Sequence, residues 1–163
     1  MTNEERFVKL DRMRFTKNKL SSMLALLAIV FDVLFFVSIY QSDVGSYYYT
    51  WIIGASVLYN LIFMLMAFLS SEGVKNYKPA YSWLLLALGA GQVARIFILP
   101  MQAVSATIKI KKEVLPVMGE VQFTWVVTCL IISAVCCIAS AVINLIKSRQ
   151  LEQHNAALQK QAA

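Results

Sequence analysis

The one histidine of this chain, His154, lies in the C-terminal tail, and no Gly-x-Ser-x-Gly, Walker A or Cys-x-x-Cys pattern occurs in its 163 residues. Without an imidazole in the apolar segments, histidine acid–base chemistry and Cys–His metal binding are excluded there. The missing glycine spacings exclude a phosphate loop and a nucleophile elbow. Acid is as scarce: Asp32 is the one carboxylate inside the long apolar stretches, too few for metal-bridged phosphotransfer. Cys129, Cys136 and Cys137 form an odd set within a single stretch, which gives no disulfide framework. No Asn-x-Ser/Thr glycosylation acceptor is present. These absences lead us to expect no catalytic residue, no cofactor and no metal site, hence not an enzyme.

What the chain does have is length in hydrocarbon. Four apolar stretches run from Ser21 to Tyr40, Trp51 to Ser70, Ala80 to Leu99 and Gln122 to Ile146, interrupted by two formal charges, Asp32 and Arg95. Each approaches the ~20 residues a helix needs to cross about 30 Å of lipid. Apolar residues are 59% of the chain and charged residues 15%, against about 25% charged in a soluble domain. The fold expected is an all-α, polytopic membrane protein: a four-transmembrane-helix bundle over 21–146, flanked by a basic segment (1–20) and a cytoplasmic helical tail (147–163). The first stretch lacks a small-residue cleavage pattern and follows a charged segment, so it reads as a retained span rather than a signal peptide.

The net charge of +6 is distributed by topology rather than gathered for nucleic acid. Arg6, Lys9, Arg12, Arg14, Lys17 and Lys19 precede the first span; Lys75 and Lys78 lie in the second connection; Lys147, Arg149 and Lys160 are in the tail. Four crossings put these eleven on one side and only Lys109, Lys111 and Lys112 on the other. The positive-inside rule then places both termini in the cytoplasm, in a cell (plasma) membrane. Thr2-Asn3-Glu4-Glu5 has capping-box form, and Phe7, Leu10 and Met13 fall near one face among six cations. This predicts an amphipathic interfacial helix binding anionic lipid headgroups, each cation contributing about 1 kcal/mol; a solvated basic tail is the plainer alternative. Tyr47, Tyr48, Tyr49 and Trp51 suit one aromatic belt and Tyr77, Tyr81 and Trp83 the other. In the connection from Pro100 to Val121, Val104, Ile108, Lys111 and Leu115 follow helical spacing while Thr107 to Lys112 alternates. The helical reading, a turn ending at Pro116, is preferred.

Ionisable groups within spans are the place to look for function. With the N-terminus inside, Asp32 falls roughly 2 Å beyond the midplane and Arg95 roughly 8 Å beyond it, at 1.5 Å rise per residue. Gln92 shares the Arg95 face, and Asn60 comes near the midplane from the second span. We expect an Asp32–Arg95 ion pair supported by Gln92 and Asn60. It would either fix helix register or hold an ion, proton or substrate; the alternative is Arg95 snorkelling outward while Asp32 pairs elsewhere. Ser21, Ala25, Ala28 and Asp32 recur at helical spacing, as do Cys129, Ser133, Cys137, Ser140 and Asn144. These small-residue stripes predict close helix contact, with the cysteines as packing residues. Gly89-Ala90-Gly91 suggests another close approach.

Two functions fit. The first is a non-catalytic subunit or scaffold of a membrane complex, partnered by lipid and another membrane protein or a second copy of itself. The second is a small oligomeric transporter or channel using the Asp32/Arg95 cluster.

Overall fold

All three prolines, Pro79, Pro100 and Pro116, fall outside the apolar stretches, so none breaks the hydrogen-bond ladder within one of them. The computed structural model describes residues 17–40, 50–105, 107–110 and 113–162. They form α1 (Lys19–Tyr40), α2 (Thr50–Lys75), α3 (Pro79–Ile98), a short α4 (Pro100–Ser105), strands β1 (Thr107–Ile110) and β2 (Glu113–Pro116), and α5 (Glu120–Ala162). Among the described residues, four helices are long and apolar enough to cross a membrane: α1, α2, α3 continuing through α4, and α5. Pro79 opens α3 at its first turn, where a missing N–H costs nothing.

The helices pack in ring order. α1 lies against α2 and α5, α3 lies against the same two, and α1 faces α3 across the diagonal. Side-chain contacts give the directions. Ser21 meets Ser140, Ala28 meets Ser133 and Ser38 meets Gln122, so each step along α1 matches an equal step back along α5. Ser82 meets Asn144 and Gly89 lies against Cys137, so α3 runs in the sense of α1. The start of α1, the turn between α2 and α3, and the α5 tail therefore share one end.

Buried residues are layered along this axis. One apolar cluster, including Ala25, Ala28, Phe63, Leu85, Cys137 and Ala141, fills the half nearer that end. Another, including Phe35, Ile39, Leu99, Met118, Val126 and Leu130, fills the far half beneath α4. Asp32, Gln92 and Arg95 are buried between them. Large apolar side chains such as Met23, Leu61, Leu65, Phe97 and Val135 point outward from all sides.

Three local outcomes differ from the sequence reading. The connection after Pro100 turns helical only as far as Ser105. β1 and β2 pair antiparallel, Thr107 opposite Pro116 and Ile110 opposite Glu113. The β-branched run Thr107, Ile108, Ile110, Val114 and its period of two outweigh the weaker helical spacing. Second, α2 extends to Lys75, five residues past the apolar stretch, and closes in a Schellman motif: Lys78 N–H donates to Gly73 O and Tyr77 N–H to Val74 O. Tyr77 takes the left-handed position, φ 58°, usually given to glycine. Third, Tyr77 is buried rather than part of an outward belt, and burial pushes its phenol pKa up. Tyr81 is half-buried and Trp83 exposed.

Candidate functional site

α1 and α3 face each other diagonally, and the long side chains of Gln92 and Arg95 bridge them by hydrogen bonds. Gln92 Nε2 donates to Asp32 Oδ1 at 2.9 Å and Arg95 Nη1 donates to the same oxygen at 3.1 Å. Arg95 Nη2 reaches Ser56 Oγ on α2 at 3.3 Å, tying in a third helix. The guanidinium lies between two rings, its Cζ 4.3 Å from the Phe35 centroid and 5.0 Å from that of Tyr59. Aromatic faces attract a desolvated cation by about 2 kcal/mol or more, which here offsets part of the lost hydration. Asp32 and Gln92 are fully buried and Arg95 is 5% exposed, so the ion pair faces inward and does not snorkel.

Asn60 is placed differently from expectation. It is buried one turn beyond Ser56 on α2, but its Oδ1 has no partner among the described residues and Ser56 takes the contact with Arg95. Ser56, Phe35 and Tyr59 were not singled out in the sequence. Ser56 sits four residues before Asn60 on one helix face, the spacing that would have found it. Gly91 gives Tyr59 its room: a Cβ there would lie 2.6 Å from the Tyr59 hydroxyl.

A second polar group gathers at the end of the helices. Asn18 caps α1, its Oδ1 accepting from Ser21 N–H at 3.4 Å and from Lys147 Nζ at 3.2 Å. Its Nδ2 donates to Asn144 Oδ1 at 3.2 Å, and Asn144 Nδ2 donates to Ser82 Oγ at 2.8 Å and to Lys78 O at 3.2 Å. Asn18 N–H also donates to Lys75 O. Four elements are joined by two asparagines.

The small-residue stripes face each other. Ser21, Ala25, Ala28 and Asp32 on α1 are buried, as are Cys129, Ser133, Cys137, Ser140 and Asn144 on α5. Ser133 Oγ donates to Ala28 O at 2.9 Å, and Ser140 Oγ to Ser21 O at 2.7 Å. Of the cations expected at lipid headgroups, Lys17 and Lys19 are exposed, whereas Arg6, Lys9, Arg12 and Arg14, with the interfacial helix expected of them, lie outside the described residues. So do Tyr47, Tyr48 and Tyr49. Compared with known protein families, with curated proteins and with solved structures, the chain matches none.

Proposed function

We propose that this chain is a multi-pass membrane protein, a four-helix bundle with both termini in the cytoplasm of the cell, serving as a non-catalytic subunit or scaffold of a membrane complex. The observation that carries this reading is α5. Its apolar part ends near Ile146, yet the helix continues unbroken to Ala162, with Arg149, Gln150, Glu152, Gln153 and Asn155 exposed. That is roughly 24 Å of polar helix beyond the span, at 1.5 Å per residue. Within the spans, the polar side chains described above bond one helix to another, which suits a framework. The basic segment before α1 would hold this end against anionic lipid, and nucleic acid is no part of the reading.

The test is migration of the full-length chain from native membranes in a mild detergent. The intact protein should run in a larger assembly that a truncation after Ser148 abolishes while leaving the helical core as stable as before. A single-chain species in both cases would remove the reading.

A second reading is favoured by the unpartnered polar atoms beside Asp32: a small oligomeric transporter or channel. Reconstituted protein showing no ion, proton or solute flux that depends on Asp32 would eliminate it.

A further inference from the structure

Four buried polar atoms have no hydrogen-bond partner among the described residues: Asp32 Oδ2, Gln92 Oε1, Asn60 Oδ1 and the Tyr59 hydroxyl. They belong to one neighbourhood. Gln92 bonds Asp32, Arg95 bonds Asp32, the Tyr59 ring faces Arg95, and Asn60 lies one helical turn beyond Ser56, which bonds Arg95, on the same face of α2. The orientation of Gln92 is settled by chemistry, because only its NH2 can donate to a carboxylate. Asp32, Gln92 and Asn60 are each at least nine-tenths buried.

Three of these atoms are acceptors, and the phenol supplies one proton at most. The deficit is therefore of donors, and each bare buried acceptor costs about 1–3 kcal/mol. Charge selects among the donors that could serve. Asp32 and Arg95 cancel formally, so a metal ion or an ammonium group would leave one uncompensated positive charge beside a guanidinium. Such burial costs several kcal/mol. A neutral molecule with two O–H donors carries no such penalty.

We propose that Asp32 Oδ2, Gln92 Oε1, Asn60 Oδ1 and the Tyr59 hydroxyl line an internal hydration site, where bound water bridges α1, α2 and α3 at the ion pair. Buried waters of this kind make about three hydrogen bonds to polar groups that would otherwise be unpaired. The site gives Asp32 contact with exchangeable protons deep within the helices. It also lets the ion pair loosen without stranding either charge. The inference rests on neither functional reading above.

The test is X-ray hydroxyl-radical footprinting of the full-length protein in phosphatidylcholine vesicles, where bound water generates radicals beside the side chains it touches. Tyr59 should oxidise several-fold faster than Leu85 and Leu130, after correction for intrinsic reactivity. Leu85 and Leu130 are buried in the apolar layers on either side. Q92L and N60L should each lower that labelling at least twofold. Labelling of Tyr59 at the level of the two leucines would overturn the proposal, as would unchanged labelling in both variants. The rival occupant is tested with the unmodified protein by thermal unfolding in NaCl, KCl and NH4Cl at constant ionic strength. No cation-specific shift is expected; a saturable stabilisation by one cation, lost in D32N, would assign the site to that cation instead.

Discussion

The two polar groups of this protein use the same kind of material for different ends. At the end of the helices, Asn18, Ser21, Ser82, Ser140 and Asn144 are neutral, and no atom of theirs is among the unpartnered ones. Between the apolar layers, Asp32 and Arg95 are charged, and every buried unpartnered side-chain polar atom among the described residues lies on Asp32 or on Tyr59, Asn60 and Gln92 around it. Neutral, fully bonded groups near an end cost little to bury and lock geometry. A charged, under-bonded group at depth is held at a cost, and that asymmetry separates a fastening from a site.

The largest effect should come from breaking the charged layer unevenly. R95L leaves the Asp32 carboxylate buried without its cation, and about 3–5 kcal/mol of stability should be lost. The paired replacement D32L/R95M removes both charges and should recover most of it. Reversible unfolding in mixed micelles gives both values. If the double variant is as unstable as the sum of the single ones, the pair is no coupled unit and the contrast between the two groups fails.

The neutral fastening should respond less and independently. N144A deletes the bonds to Ser82 and Lys78 O and strands Asn18 Nδ2, for an expected loss of about 1–2 kcal/mol. Asn18 and Asp32 are 14 residues apart on the α1 strand of chain, roughly 20 Å at 1.5 Å per residue, so N144A and R95L should add within about 0.5 kcal/mol. S140A removes one reciprocal contact with Ser21 in the same seam, with an expected loss of about 0.6 kcal/mol, the average for hydrogen bonds between membrane helices.

Much of this contrast is legible in the amino-acid sequence alone. The four helices long and apolar enough to cross a membrane followed from apolar length, and the buried stripes from the i, i+4, i+7 spacing of Ser21, Ala25 and Ala28 and of Ser133, Cys137, Ser140 and Asn144. The meeting of Asp32 with Gln92 and Arg95 followed from depth alone, because helices of fixed rise convert residue number into height. What depth does not give is azimuth. Ser56 rather than Asn60 bonds Arg95, since a turn of α2 separates two polar groups that a count of residues treats alike. Phe35 and Tyr59 were hidden by abundance, as aromatic rings recur throughout the apolar stretches. Asn18 was masked by the cations around it and by the assumption that structure starts where hydropathy does. The pairing of β1 with β2 lost to a competing helical spacing because two periods fit one short segment.

The finest distinction concerns Tyr59, whose ring and hydroxyl belong to different arguments. The ring stands 5.0 Å from the Arg95 guanidinium, and the hydroxyl has no hydrogen-bond partner among the described residues. Y59F keeps the cation–π contact and should change stability by no more than about 0.5 kcal/mol, whereas Y59L should lose an additional 0.5–2 kcal/mol, roughly the range of that contact. Gly91 sharpens the separation. G91A places a Cβ 2.6 Å from the hydroxyl but 3.6 Å from the ring carbon bearing it. The alanine should therefore destabilise the unmodified protein by about 1 kcal/mol and be tolerated in the Y59F background, where only the ordinary ring contact remains. Equal losses from G91A in both backgrounds would mean that the ring, not the hydroxyl, sets the spacing between α2 and α3, and that the glycine serves the guanidinium slot rather than the unpartnered hydroxyl.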